Sequence, residues 1–141
     1  MKLREALVFG YSLISMVRLP TTLIVLKPDL VCRGLAARAM AQVPCILQAR
    51  EFQWHPQLAR EFYSEHRGKS FYAELIDSLV DKRSLALLVG LSVHEGRKLV
   101  LRLRPQYSTS LTLNSFHASD STSSFKNEYQ LVFNREFNSN A

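Results

Sequence analysis

Asn114-Ser115-Phe116-His117-Ala118-Ser119-Asp120-Ser121 is the stretch on which the reading of this chain turns. A large fraction of an imidazole is unprotonated near neutral pH, so His117 can act as a nucleophile, and the small polar residues beside it leave room for a bulky anion. Ser119 to Ser121 can cap a helix running to Tyr129, which carries Glu128 near enough in space to orient a ring nitrogen. A lone histidine is more often structural than reactive, so the elements around the octapeptide decide its meaning.

Upstream, Gln106 to Ser110 reads as a polar loop, and Val93 to Arg104 fits two patterns. Leu99, Val100 and Leu103 suit a helix, whereas Leu99, Leu101 and Leu103 alternating with Val100, Arg102 and Arg104 suit a strand facing water. Pro105 argues against extending a helix further. Ser84 to Leu91 is a continuous apolar run of strand length, the pattern of a fully buried strand. Before it, Ser70 caps a helix with a stripe of Phe71, Leu75, Ile76 and Leu79, and His55-Pro56 opens another that turns Leu58, Ala59 and Phe62 inward until Gly68 ends it. Cys45 to Trp54 reads as a strand. Thr21 to Leu26 is a short β-branched run that suits a buried central strand delivering Lys27 to an edge or cleft; Pro28 stops it, and Asp29 is placed to cap a helix through Gly34 to about Gln42. Downstream of the octapeptide, Gln130 to Phe133 reads as a short last strand.

The resulting order is that of an α+β, ferredoxin-like βαββαβ fold, a four-stranded antiparallel sheet covered by helices on one face. Such a fold hosts unrelated chemistries, so it leaves the function open. The 141 residues suit one domain over 20–133, with an N-terminal extension over 1–19 and a polar tail over 134–141. Lys2 and Arg4 precede an apolar run from Ala6 to Val17, so the extension reads either as a targeting segment or as an extra helix or strand. An apolar fraction of 47% and a charged fraction of 21% are those of an ordinary globular protein. The net charge of +6 favours anionic partners, but no aromatic and basic signature marks a dedicated nucleic-acid patch. Cys32 and Cys45 are too few for a disulfide framework or a zinc site and suit a reducing compartment. No apolar run reaches the roughly 18 residues of a membrane span.

Together with Leu26-Lys27-Pro28-Asp29, Phe62-Tyr63 and Ser70-Phe71-Tyr72, in that order, the octapeptide resembles the nucleoside diphosphate kinase family over Thr21 to Phe133. Ala118 stands where the family motif has Gly. The resemblance implies transfer of the γ-phosphate of ATP to nucleoside diphosphates through phospho-His117, with Mg²⁺ as cofactor. It assigns Glu128 to the other ring nitrogen, Ser119 to the support of that pair, and Lys27 and Tyr63 to a transferred phosphate. It sets Phe71 and Leu111 on either side of the base, Asn114 on the ribose, Arg97 on the nucleotide phosphates and Asp120 on Mg²⁺ through water. It favours a helix from Val93 at least through Val100.

Between Arg97 and Asn114 the chain departs from the family pattern, which has a longer loop carrying a threonine and a second arginine to the phosphates. Arg102 or Arg104 could stand in for the lost arginine, and no spacing argument selects one. The same loop contributes to subunit contacts in the family, so a homo-oligomer, a dimer, is implied and assembly into a hexamer is in doubt. The alternative function is a weakened or inactive member serving as a nucleotide-binding or interaction module. A cytoplasmic setting is expected, or a mitochondrial one if the extension is a targeting segment.

Overall fold

The computed structural model describes residues 19–133; the extension and the tail therefore lie outside the described residues apart from Leu19. Four strands, β1 (Thr22–Leu26), β2 (Ile46–Gln53), β3 (Arg83–Val89) and β4 (Phe116–Ala118), form one antiparallel sheet in the order β2-β3-β1-β4. The helices are α1 (Pro28–Val31), α2 (Ala36–Met40), α3 (Pro56–Phe62), α4 (Tyr72–Asp77), α5 (Val93–Tyr107) and α6 (Thr122–Phe133), with a 3₁₀ turn at Ser64–His66.

Every residue of β1 is buried, and alternate side chains serve two different cores. Leu23 and Val25 join Trp54, Leu58, Phe62, Leu75, Leu79 and Val132 on one face; Ile24 and Leu26 join Leu30, Leu99, Val100, Leu103 and Phe116 on the other. Helices therefore cover both faces rather than the single face expected, which is why the central strands read as continuous apolar runs instead of alternating ones. Trp54 anchors the first core: its indole N–H donates to Ser84 Oγ at 2.8 Å, and its ring meets Phe52 and Phe62 edge-on at 4.8 and 5.0 Å. Each such ring pair contributes about 0.5–1.5 kcal/mol beyond its buried area.

Two further expectations are corrected. Gln130 to Phe133 is the last turn of α6, not a strand, and the edge strand is Phe116–Ala118, inside the octapeptide itself. Leu131 and Val132 are buried against the first core at a spacing the helix supplies. Residues 93–107 form one helix of 15 residues through Pro105, with Leu99, Val100, Leu103 and Tyr107 buried along one stripe. A capping box starts it, Ser92 Oγ accepting from the Glu95 N–H and Glu95 Oε1 accepting from the Ser92 N–H, both at 3.1 Å. Pro105 is tolerated because it lies in the last turn, and the carbonyl it leaves without a partner belongs to Leu101, on the exposed side. Gly96 lets this helix close on β1, since a Cβ there would lie 2.7 Å from Thr22 Cγ2.

The helix expected after Asp29 is two short pieces. Gly34 at φ +73° breaks it, and Lys27, not Asp29, is the N-cap of α1. Gly68 follows the 3₁₀ turn rather than ending α3, and Phe71, not Ser70, is the N-cap of α4. Among the described residues no helix is long and apolar enough to cross a membrane.

Candidate functional site

Sheet pairing assembles the site. β4 pairs with β1 in the register Val25↔His117 and Leu26↔Phe116, so His117 and the end of β1, where Lys27 follows, share one end of the sheet. His117 Nε2 lies 2.7 Å from Glu128 Oε1, and Ser119 Oγ donates to the same oxygen at 2.8 Å. Glu128 reaches there because α6 begins directly after the octapeptide and turns its inward face to β4; with Ser119 it is buried behind the histidine. Phe62 and Tyr63 contact the His117 ring edge-on, with centroids 4.8 and 5.5 Å away. Nε2 is thus occupied, and Nδ1 is the ring nitrogen left for chemistry.

An open cleft of about 240 Å³ lies in front of the histidine. Lys27, Tyr63, Phe71, Leu111, Asn114, His117 and Asp120 line it, as does Arg104. Of the two arginines that spacing could not separate, Arg104 therefore enters the cleft and Arg102 is exposed outside it. The helix explains the choice: Arg104 is seven residues from Arg97, two turns along nearly the same face. Its Nη2 donates to the Phe116 carbonyl at 3.0 Å, while its buried Nε has no partner. Arg97 stands at the rim, its Nε 3.7 Å from Asp120 Oδ1, with both side chains more than half exposed.

Lys27 is only 3% exposed. Its Nζ donates to the Thr112 carbonyl at 2.7 Å and to Asn114 Oδ1 at 3.0 Å. Burial lowers its pKa to about 8; nearby Asp29 opposes the shift and Arg104 adds to it. Burial also lowers the Arg104 guanidinium from its ordinary value, against the pull of Tyr63 and Asp120. The Tyr63 phenol is driven well above its ordinary value, by burial first and by the Glu128 carboxylate second, so it remains an O–H donor at neutral pH.

Phe71 is 38% exposed and Leu111 is 96% exposed, which sets them apart from core side chains. Among the described residues no three His, Cys, Asp or Glu side chains cluster as a protein-only metal site.

Sequence reasoning missed several members of the site. His66 lines the cleft, stacked on Tyr63 at 5.8 Å, and the single histidine carries no signal that would separate it from a surface residue. Thr112 lines it too, with its hydroxyl on Glu74 Oε1 at 2.8 Å. Asp29 accepts from Ser115 Oγ at 2.8 Å instead of capping a helix, and Ser115, at φ +69°, bends the chain so that its carbonyl receives the Lys27 N–H. These bonds span more than eighty residues and leave no local pattern.

Known proteins resemble this chain in sequence and in fold. The family model described as "Nucleoside diphosphate kinase" matches residues 20–100. A nucleoside diphosphate kinase of Rhodopirellula baltica is 32% identical, over 82% of this chain and 86% of the relative, and one of Thermosipho africanus is 30% identical, over 79% and 87%. In fold, the chain is similar to the nucleoside diphosphate kinase of Aquifex aeolicus, with a TM-score of 0.68 at 24% identity over 84% of this chain and 98% of that one. It is equally similar to a halophilic nucleoside diphosphate kinase from Halobacterium salinarum solved in complex with CDP, with a TM-score of 0.68 at 22% identity over 84% and 90%.

Proposed function

The chain belongs to the nucleoside diphosphate kinase family, and from that premise we propose that it moves the γ-phosphoryl group of ATP to nucleoside diphosphates by way of His117. The observation that carries the reading is the 2.7 Å contact between His117 Nε2 and Glu128, made at the back of a cleft lined by Lys27 and Arg104. A carboxylate accepting from Nε2–H selects the tautomer whose Nδ1 bears a lone pair, and it supports the positive charge that develops on the ring. In the first half-reaction an Nδ1–P bond forms as the γ-phosphorus–oxygen bond of ATP breaks and ADP leaves. In the second, a terminal phosphate oxygen of the acceptor diphosphate takes the phosphoryl group from Nδ1, and the histidine is restored.

Phosphoryl transfer depends on positioning and charge neutralisation more than on covalent chemistry by the protein. Lys27 and Arg104 supply charge inside the cleft, Arg97 supplies it at the rim, and the Tyr63 hydroxyl is a donor beside His117. Arg104 takes the part of the arginine that the shortened loop no longer provides. Phe71 and Leu111 offer a ring face and an apolar side chain to the base, a contact that tolerates every base. Asn114 addresses the ribose.

The donor set fits Mg²⁺ held mainly by substrate phosphates and water, because Asp120 is a single, mostly exposed carboxylate at the cleft rim. Bound there with the nucleotide, the ion would neutralise phosphate charge.

Incubation with γ-labelled ATP is expected to give an acid-labile, alkali-stable label on the wild-type protein and none on His117→Ala, with transfer lowered by at least about 10⁴-fold. A wild-type protein that binds ATP and stays unlabelled overturns the activity. A weakened member is the second reading, favoured by one observation: Thr112 and Asn114 already occupy two of the three Lys27 donors. Labelling with slow onward transfer would select it. Exposed, free Cys32 and Cys45 suit the cytoplasmic setting, and a dimer is the assembly to test by light scattering.

A further inference from the structure

The loop between α5 and β4 contains no regular structure, yet its middle residue joins two walls of the cleft. Thr112 is 7% exposed. Its hydroxyl donates to Glu74 Oε1 at 2.8 Å, in the first turn of α4, and its carbonyl accepts from Lys27 Nζ at 2.7 Å, at the end of β1. Beside it, Leu111 projects 96% exposed at the cleft, opposite the wall from which α4 presents Phe71. Within the loop, Ser110 Oγ lies 3.4 Å from Thr112 Oγ1 and accepts from the Leu113 N–H at 2.9 Å, which tightens the turn that carries Thr112.

We propose that Thr112 and Glu74 form a clasp that sets the width of the nucleotide cleft, with both acting as positioning residues. The inference rests on the reading of the cleft as a nucleotide site. The hydroxyl fixes the loop to α4, so the Leu111-to-Phe71 spacing on the base side is set by a single side-chain bond. The carbonyl of the same residue fixes the Lys27 ammonium, so the phosphate side is held from the same point. In a chain whose connection here is short, one threonine thereby aligns both ends of a bound nucleotide. Releasing the hydroxyl lets the loop swing out with Leu111 and slackens the hold on Lys27, while His117 on β4, Ser119 directly after it and Glu128 on α6 keep their geometry.

The test compares Thr112→Val, Thr112→Ser, Glu74→Ala and the double variant Thr112→Val/Glu74→Ala by steady-state kinetics and by direct binding of a fluorescent ADP analogue. Thr112→Val and Glu74→Ala are each expected to raise KM and the analogue's Kd by about fivefold to tenfold, within the net range for one hydrogen bond, and to change kcat by less than they change KM. Thr112→Ser restores the hydroxyl and is expected to bind as wild type does. The double variant is expected to be no weaker than either single one, because both changes remove the same bond. Additive losses in the double variant, or a Thr112→Ser protein as weak as Thr112→Val, overturn the clasp. Unaltered binding by both single variants does so as well. Because analogue binding needs no turnover, a wild-type protein that binds the analogue but transfers no phosphoryl group sinks the activity and leaves the clasp to be judged on Kd. Circular dichroism and denaturant midpoints on each variant exclude a loss of fold as the cause.

Discussion

The two ends of the cleft are built on different kinds of structure. His117, Ser119 and Glu128 stand at the end of a strand and on a twelve-residue helix, joined by bonds of 2.7 and 2.8 Å and backed by the Phe62 and Tyr63 rings. At the other end Leu111, Thr112 and Asn114 stand on an irregular loop, and Leu111 is 96% exposed. The first arrangement can hold a ring nitrogen in line with a phosphorus atom; the second can adapt to different bases. Errors of an ångström are costly at a reacting atom and cheap under a stacked base, so under the proposed reaction rigidity is concentrated where the bond would change.

Breaking the rigid end should have the larger consequence. In Glu128→Ala the Ser119 hydroxyl and the His117 Nε2 lose a shared, buried acceptor, so kcat for transfer is expected to fall about a hundredfold. Stability is expected to fall by about 1–3 kcal/mol, measured from the urea midpoint. Next comes the arginine pair on α5. Arg104→Met is expected to raise KM for nucleotides by at least about tenfold, the equivalent of one lost charge-assisted bond to phosphate. Arg102→Met, outside the cleft, is expected to stay within about twofold; equal effects of the two would undo the assignment of Arg104.

A smaller effect is expected from pH. With its folded pKa near 8, Lys27 loses its charge within the range of a kinetic profile. kcat/KM is expected to decline several-fold between pH 8 and 9, and Lys27→Met should lose that limb of the profile. The stability sign runs the opposite way. Below pH 8 the ammonium is charged in both states and its burial is unfavourable. Above it the folded state releases the proton while the unfolded chain retains it up to its ordinary value of 10.5, so Lys27 makes stability rise over that window. The least effect should come from the exposed Leu111 side chain: Leu111→Ala is expected to change KM by less than about threefold for purine and pyrimidine nucleotides alike, and a larger, base-selective change would show that this contact selects among bases.

Much of the fold was legible because its signals are local. The apolar runs at Thr21–Leu26 and Ser84–Leu91, the inward stripes at Leu58–Phe62 and Leu75–Leu79, and the Pro that opens α3 each follow from a few adjacent residues. The fourth strand was not legible: three residues are too few to show a period, and Leu131-Val132-Phe133 offered a more strand-like run that α6 buries instead. Helix α5 was ambiguous from residues because leucines at 99, 101 and 103 satisfy both periods for part of their length; the core settles it by burying Leu99, Val100 and Leu103 while leaving Leu101 at 60% exposure.

By itself the sequence determined which chemical groups the site can contain: an imidazole, a carboxylate eleven residues on, a lysine at the end of an apolar strand and an aromatic pair. Short-range periodicity and motif spacing carry that information, since they depend on neighbours along the chain. Only the tertiary structure decided that the strand bearing His117 pairs with β1, that Nε2 meets Glu128, that Arg104 enters the cleft while Arg102 leaves it, and that Lys27 is held by Thr112. Those outcomes depend on strand register, the turn of a helix face and the desolvation of a buried ammonium, which only the assembled elements supply.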